Sequence, residues 1–174
     1  MTVREVIMNA RRARIALFAG ILIVSVGAAS SQQLSKAEAT TVTSGVRTFV
    51  AAVADGVTQR GPMAWRSYFA DTPAFLMAVD GHLVFDSSDA ATRGIQDVAK
   101  SIPHIELQWG DVRIDPLTPR LAMVAAQYHE LQIDAGGRRK VVDGYFTALT
   151  ELGPSGWHFR NAHWSTAAPP PSAP

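Results

Sequence analysis

The sequence predicts an α+β domain whose helices pack on one face of an antiparallel sheet. Three observations predict it. Apolar residues recur at helical spacing through the first third of the folded region. An Asp-Gly turn signal divides two short apolar runs in the middle. Long alternating segments, which read as strands, then occupy nearly everything from residue 105 to 165. Helices early and an antiparallel run late is the α+β signature. No internal repeat interrupts it.

The elements follow in chain order. Val42, Val46, Phe49, Val50, Val53 and Val57 form one stripe of a long helix. Ala51, Ala52 and Ala54 add helix propensity around it. Gly61-Pro62 ends it, and Pro62 opens a second, short helix carrying Met63, Trp65, Tyr68 and Phe69. Phe75–Val79, Asp80-Gly81 and His82–Phe85 read as a β-hairpin. Asp86-Ser87-Ser88-Asp89 offers N-caps for a third helix with Ile95, Val98, Ala99 and Ile102 on one stripe. Gly94 is its weak point. Three longer strands are expected at Ile105–Asp115, Leu121–Asp134 and Arg139–Leu152. The first changes face at Gly110, which calls for a bulge there. Gly144 inside the third marks a bend or a close approach. The last strand is Gly156–Ser165. If it alternates, Trp157, Phe159, Asn161 and His163 share one face.

Composition bounds the compartment and the chemistry. The 174 residues suit one domain, and 47% hydrophobic with 18% charged suits a folded core. Residues 1–29 have the layout of a secretory signal: Arg11, Arg12 and Arg14, then an apolar run from Ile15 to Val26, then Gly27-Ala28-Ala29. The apolar run is shorter than the roughly 20 residues a spanning helix needs. The expected organisation is a signal at 1–29, a linker at 30–36, the domain at 37–165 and a Pro-rich tail at 166–174. The protein is expected to be exported, periplasmic or secreted, and to meet a membrane only if the signal stays uncleaved. Of 16 basic and 15 acidic residues, four Arg and one Glu belong to the signal, leaving 12 and 14, net −2. No nucleic-acid footprint remains. The absence of cysteine excludes disulfides, thiol catalysis and thiolate metal sites.

Three segments carry a family resemblance: Trp157 with Asn161-Ala162-His163-Trp164-Ser165, Val142-Asp143-Gly144-Tyr145-Phe146, and Ile105-Glu106-Leu107 feeding the long Leu121–Asp134 strand. Together with the element order, they resemble the nuclear transport factor 2-like superfamily and its SnoaL-like group, over most of residues 37–165. The resemblance implies a cone: a strongly curved sheet wrapped against about three helices, with a pocket on the concave side. It implies cofactor-free isomerases, dehydratases and cyclases, and equally binding or assembly domains.

On Leu121–Asp134 the odd face (Leu121, Met123, Ala125, Gln127, His129, Leu131, Ile133) is the more apolar one and is expected to be concave. Gln127 and His129 are its polar members, and Asn161 and His163 join them from the last strand. Trp65, Tyr68, Met77, Trp109, Met123 and Phe159 are the expected apolar wall. A few polar groups among such residues suit a small-molecule site, and a neutral imidazole is a natural general base near pH 7. The competing account is structural: His163 bonded to backbone or Ser165, and His129 at a strand's exposed end. Asp143 and Tyr145 are the expected carboxyl and phenol of an acid–base set, although the even positions of their strand are as core-like. Glu130 lies on the opposite parity from His129. No histidine or carboxylate spacing suggests a metal, and no cofactor is expected.

The leading reading is an exported domain binding a small apolar organic ligand, with no nucleic-acid partner. A cofactor-independent lyase, isomerase or cyclase using His129, His163, Asp143 and Tyr145 is the alternative. A non-catalytic dimerisation or assembly module is the third. A homodimer through the outer sheet faces is expected, with Val124, Ala126, Tyr128 and Trp164 exposed there.

Overall fold

The computed structural model describes residues 33–167. The expected export signal at 1–29, the start of the linker and nearly all of the tail lie outside the described residues. Helix α1 spans Lys36–Arg60. Ser35 caps it: its side chain accepts from the Glu38 N–H, and the Glu38 carboxylate accepts from the Ser35 N–H. That reciprocal pair satisfies two N-terminal donors. The predicted stripe from Val42 to Val57 is buried throughout. A 3-10 helix at Pro62–Ser67 follows, with the proline at its first position.

Strands β1 (Leu76–Val79) and β2 (His82–Phe85) form the hairpin. Asp80 and Gly81 both take positive φ, 47° and 82°, as a mirror-image two-residue turn requires. Helix α2 spans Ser88–Ser101 and is capped by Ser87. A Cβ on Gly94 would run into the Phe85 ring, 2.8 Å from its Cζ. The weak point of the helix is therefore the place where the hairpin packs closely against it.

The remaining strands are β3 (His104–Trp109), β4 (Arg113–Thr118), β5 (Leu121–Ile133), β6 (Arg139–Gly153) and β7 (Gly156–Thr166). The expected first long strand is thus two strands, both paired with β5. The register sets Trp109 opposite Tyr128 and Arg113 opposite Ala125, so one extra residue lies on the β3–β4 side. The Gly110 N–H donates to the Gln127 carbonyl at 2.9 Å at this bend.

The seven strands form one curved sheet in the order β2-β1-β7-β6-β5-β3, with β4 also on β5. The expectation of a purely antiparallel sheet needs one correction. β1 runs parallel to β7, so the sheet is mixed. The hairpin is held there at its tip: the Asp80 carboxylate accepts from the Thr166 N–H at 2.6 Å and from the Thr166 hydroxyl at 2.9 Å.

The facing of β5 is reversed from expectation. Ala122, Val124, Ala126, Tyr128 and Glu130 point into the molecule, while Met123, Gln127 and His129 are exposed. Val124, Ala126, Tyr128 and Trp164 therefore belong to the interior and not to the outer face. The last strand also departs from simple alternation. Leu149 pairs with Asn161 and Thr150 with Phe159, so Arg160 is an extra, bulged residue. A one-residue insertion inverts every side chain beyond it. Phe159 points inward before the bulge, and Ala162 and Trp164 point inward after it. Asn161 and His163 are left on the other side. The Asn161 side chain secures the bulge by accepting from the Leu149 N–H at 3.0 Å.

The core between sheet and α1 is aromatic. Phe146 meets Phe159 at 5.1 Å and Trp164 at 4.6 Å between ring centroids. Such pairs add about 0.5–1.5 kcal/mol each beyond area burial. Trp109 stacks on Trp164, and its indole N–H donates to the Val50 carbonyl at 2.9 Å, joining sheet to helix.

Candidate functional site

A cavity of about 400 Å³ opens between the inner face of the sheet and the helices. Its walls come from the 3-10 helix, the hairpin, α2 and the sheet, with none from α1. The 3-10 helix supplies Pro62 and Trp65, and Phe69 follows it. The hairpin supplies Met77, Val79, Val84 and Phe85, and α2 supplies Ile95 and Val98. Ile105 of β3, Val142 of β6 and Trp164 of β7 complete the apolar surface. Trp65 stands edge-on to Trp164 at 5.5 Å and stacks with Phe69 at 5.6 Å. Val98, exposed when viewed as a core residue, is a wall residue of the cavity.

The polar groups are concentrated on β5 and β6. Tyr128, Glu130 and Gln132 alternate along the inner face of β5, with Gly144, Val142 and Lys140 opposite them on β6. Thr166 adds a hydroxyl from the end of β7. Glu130 is the chemically distinctive member, a carboxyl only 8% exposed in an apolar chamber. The Gln132 side-chain amide donates to its Oε2 at 2.8 Å. No other partner of the carboxyl occurs among the described residues. Glu130 lines the cavity, and its Oε1 is neither hydrogen-bonded nor fully enclosed. Burial pushes the Glu130 pKa up, against the smaller opposing effect of the Gln132 hydrogen bond. Such a group holds its proton above the ordinary carboxylate range and is a stronger base once it has lost it.

Tyr128 stands one same-face step along the strand. Its ring lies 4.7 Å from Trp164, edge-on, and crosses β6 at Gly144. A Cβ at Gly144 would lie 2.6 Å from both Cε1 and the hydroxyl of Tyr128. The close approach read from Gly144 is thus the seat of the tyrosine. Burial raises the phenol's pKa, outweighing a hydrogen bond with Thr166, so the hydroxyl remains a donor at neutral pH.

The residues singled out from the sequence are distributed differently. Trp65 and Met77 line the cavity. His129 and Asp143 do meet, with Nδ1 2.6 Å from Oδ1, but on the outer face with side chains 50% and 59% exposed. Tyr145, Gln127, Met123 and His163 are also exposed on that side. Asn161 is committed to the bulge. Phe159 is core, and Trp109 is committed to Trp164 and Val50. Tyr68 points to α1, donating to the Ala52 carbonyl at 2.8 Å and accepting from Arg60 at 3.0 Å. The expected set of two histidines, Asp143 and Tyr145 therefore does not converge in the cavity. The physical reason is the reversed parity of β5 and β6 and the bulge at Arg160.

The carboxyl and phenol of the cavity, Glu130 and Tyr128, were not among the expected site residues. A signal for them existed: a glutamate on the same parity as Val124, Ala126 and Tyr128, with an amide two residues on to hold it. No group of three or more histidines and carboxylates among the described residues is arranged to hold a metal.

No protein-family model and no curated protein matches this sequence. Solved structures do match it in fold. A protein assigned by name as a scytalone dehydratase, from Novosphingobium aromaticivorans, superposes with a TM-score of 0.66 at 10% identity, over 74% of this chain and 86% of that one. A nuclear transport factor 2-like superfamily protein from Salmonella enterica serovar Typhimurium gives 0.64 at 13% identity, over 76% and 96%. A type 2 hexachlorocyclohexane dehydrochlorinase, LinA, gives 0.60 at 13% identity, over 80% and 100%. At these identities the likeness is one of fold. The chain has the nuclear transport factor 2-like fold, with its cavity between the inner sheet face and the helices.

Proposed function

We propose that this domain binds a small, largely apolar organic molecule in the Glu130 cavity and moves a proton on it without a cofactor, as a lyase or isomerase. The observation that carries the proposal is the Glu130 carboxyl: buried, lining an apolar cavity, anchored through one oxygen and without a hydrogen-bond partner on the other. Ionised Glu130 would take a proton from a carbon next to a carbonyl. The Tyr128 hydroxyl would donate to the oxygen on which negative charge develops. Glu130 would then return the proton to another carbon, or a leaving group would depart. The names of two fold neighbours, a dehydratase and a dehydrochlorinase, are consistent with such eliminations.

The test is deuterium exchange. A panel of apolar cyclic ketones is incubated with the protein in deuterated buffer, and loss of the α-proton signals is followed by NMR. The wild type accelerates exchange of at least one bound ketone, and Glu130→Gln binds it without accelerating exchange. Binding without exchange in the wild type would favour the plain ligand-binding reading.

Two further readings accompany this one. Residues 1–29 are proposed to direct export, with a mature N-terminus near Ala29 or Ser30 that N-terminal sequencing would detect. The outer sheet face, with Met123, Val141 and Tyr145 exposed, is proposed to pair with a second copy of the chain. A monomeric mass by light scattering at micromolar concentration would contradict that pairing.

A further inference from the structure

We propose that the ligand of this cavity is an organic carboxylate, with its apolar body among the aromatic walls and its anionic group held by Lys140 at the mouth. The inference rests on the reading of the cavity as a ligand site. The cross-strand pairs Tyr128–Gly144, Glu130–Val142 and Gln132–Lys140 follow one another on the inner face. Same-face positions on a strand are about 7 Å apart. Lys140 therefore lies about one ring's width beyond the level of Glu130 and about 13 Å beyond that of Tyr128.

Lys140 is the sole cation among the residues lining the cavity. The acids at this end of the sheet are engaged elsewhere. Asp134 holds Arg138 at 2.7 Å, Asp97 of α2 holds Lys100 at 2.8 Å, and Glu106 of β3 faces His104 at 3.3 Å. Asp143 lies on the outer face with His129. Glu130 is the one acid that shares the chamber. Its Oε2 is tied to Gln132, and its burial favours the neutral form. Among the described residues Lys140 has no ion-pair partner. A cation left unmatched where an apolar chamber meets water selects an anion attached to an apolar body.

The arrangement also separates two roles. A carboxylate at Lys140 leaves the carbons about one ring's width deeper beside Glu130, and their oxygens face Tyr128. Binding and proton transfer then act on different parts of one molecule.

The experiment uses two isosteric probes, 2-naphthoate and 2-naphthamide, with binding read from the fluorescence of Trp65 and Trp164 and checked by calorimetry. The wild type is expected to bind naphthoate several-fold more tightly than naphthamide, up to about the fivefold that one ion pair with an exposed lysine supplies. Lys140→Met should remove that preference and leave naphthamide binding unchanged. Lys140→Glu should reverse it. Arg139→Met, a neighbouring cation outside the cavity lining, should change neither. Equal affinities in the wild type, or a preference that survives Lys140→Met, overturns the carboxylate assignment while the cavity remains a ligand site. Failure of both probes to bind overturns the assignment and the ligand-site reading together. Circular dichroism of each variant establishes that it is folded.

Discussion

Replacing Gly144 with alanine tests how the cavity is built. Gly144 sits in the middle of β6, between Tyr128 of β5 and Thr166 of β7. The new Cβ would lie within 3.0 Å of the Ser165 carbonyl oxygen and 2.6 Å from two atoms of the Tyr128 ring and hydroxyl. The tyrosine can rotate away, but the Ser165 oxygen is backbone of the adjoining strand and moves only with it. Overpacking of this kind costs about 1–3 kcal/mol, and the backbone clash puts Gly144→Ala at the upper end. For a domain of this size that is a fall in Tm of roughly 8–12 °C. Gly153→Ala is the matched control in the same strand, since its Cβ would meet nothing closer than 3.7 Å. It should be neutral or raise stability by up to about 1 kcal/mol through the unfolded chain. Thermal and urea unfolding followed by circular dichroism compare the two. The tryptophan fluorescence of Gly144→Ala should also change, because displaced Tyr128 no longer lies against Trp164. Equal stability of the two variants would refute the close packing of Tyr128 over Gly144.

Further predictions follow from the same geometry. Glu130 holds its proton to higher pH in the folded chain than in the unfolded one, so wild-type stability falls as pH rises from the ordinary glutamate range through the folded pKa. Glu130→Gln should lack that fall and gain on the wild type by about 1.4 kcal/mol for each pKa unit of the upward shift, measured by urea unfolding at acidic and neutral pH. The Asp80 pKa is lowered by the Thr166 N–H and then by its hydroxyl. Its stabilising effect is therefore present above the ordinary aspartate value and disappears as pH falls through the folded pKa, and Asp80→Asn should show a weaker acid dependence. His129→Ala breaks an exposed contact with Asp143, so it should shift stability by no more than about 1 kcal/mol and leave naphthamide binding intact.

The helices, the hairpin and the bend at Gly110 were legible because each rests on local chemistry. The valine stripe of α1, Pro62, Asp80-Gly81 and the cap at Ser87 act within a few residues of themselves, whereas the Ser35 capping box of α1 lies in what the sequence read as linker. The inner face of the sheet was not legible, for two physical reasons. The cavity has polar groups, Glu130 and Gln132, on the interior face of β5, while Met123 and Leu131 lie on the other. Apolarity alone then indicates the wrong side. The bulge at Arg160 adds one residue to β7 without any glycine or proline to mark it. Its only trace is Asn161, whose side chain bonds the partner strand. The parallel placement of β1 on β7 depends on contacts across more than 80 positions of chain, which no local pattern encodes.

The proposed proton transfer turns on Glu130, a buried carboxyl whose pKa is raised by its apolar surroundings. The direct measurement is its titration by NMR, with carbon-13 in the glutamate side chains and Glu130→Gln used to assign the signal. A midpoint above the ordinary glutamate range is expected, displaced further upward when 2-naphthoate is bound, because a second anion in the chamber opposes ionisation. A midpoint at or below the ordinary range, unmoved by the ligand, would contradict the proposed proton transfer.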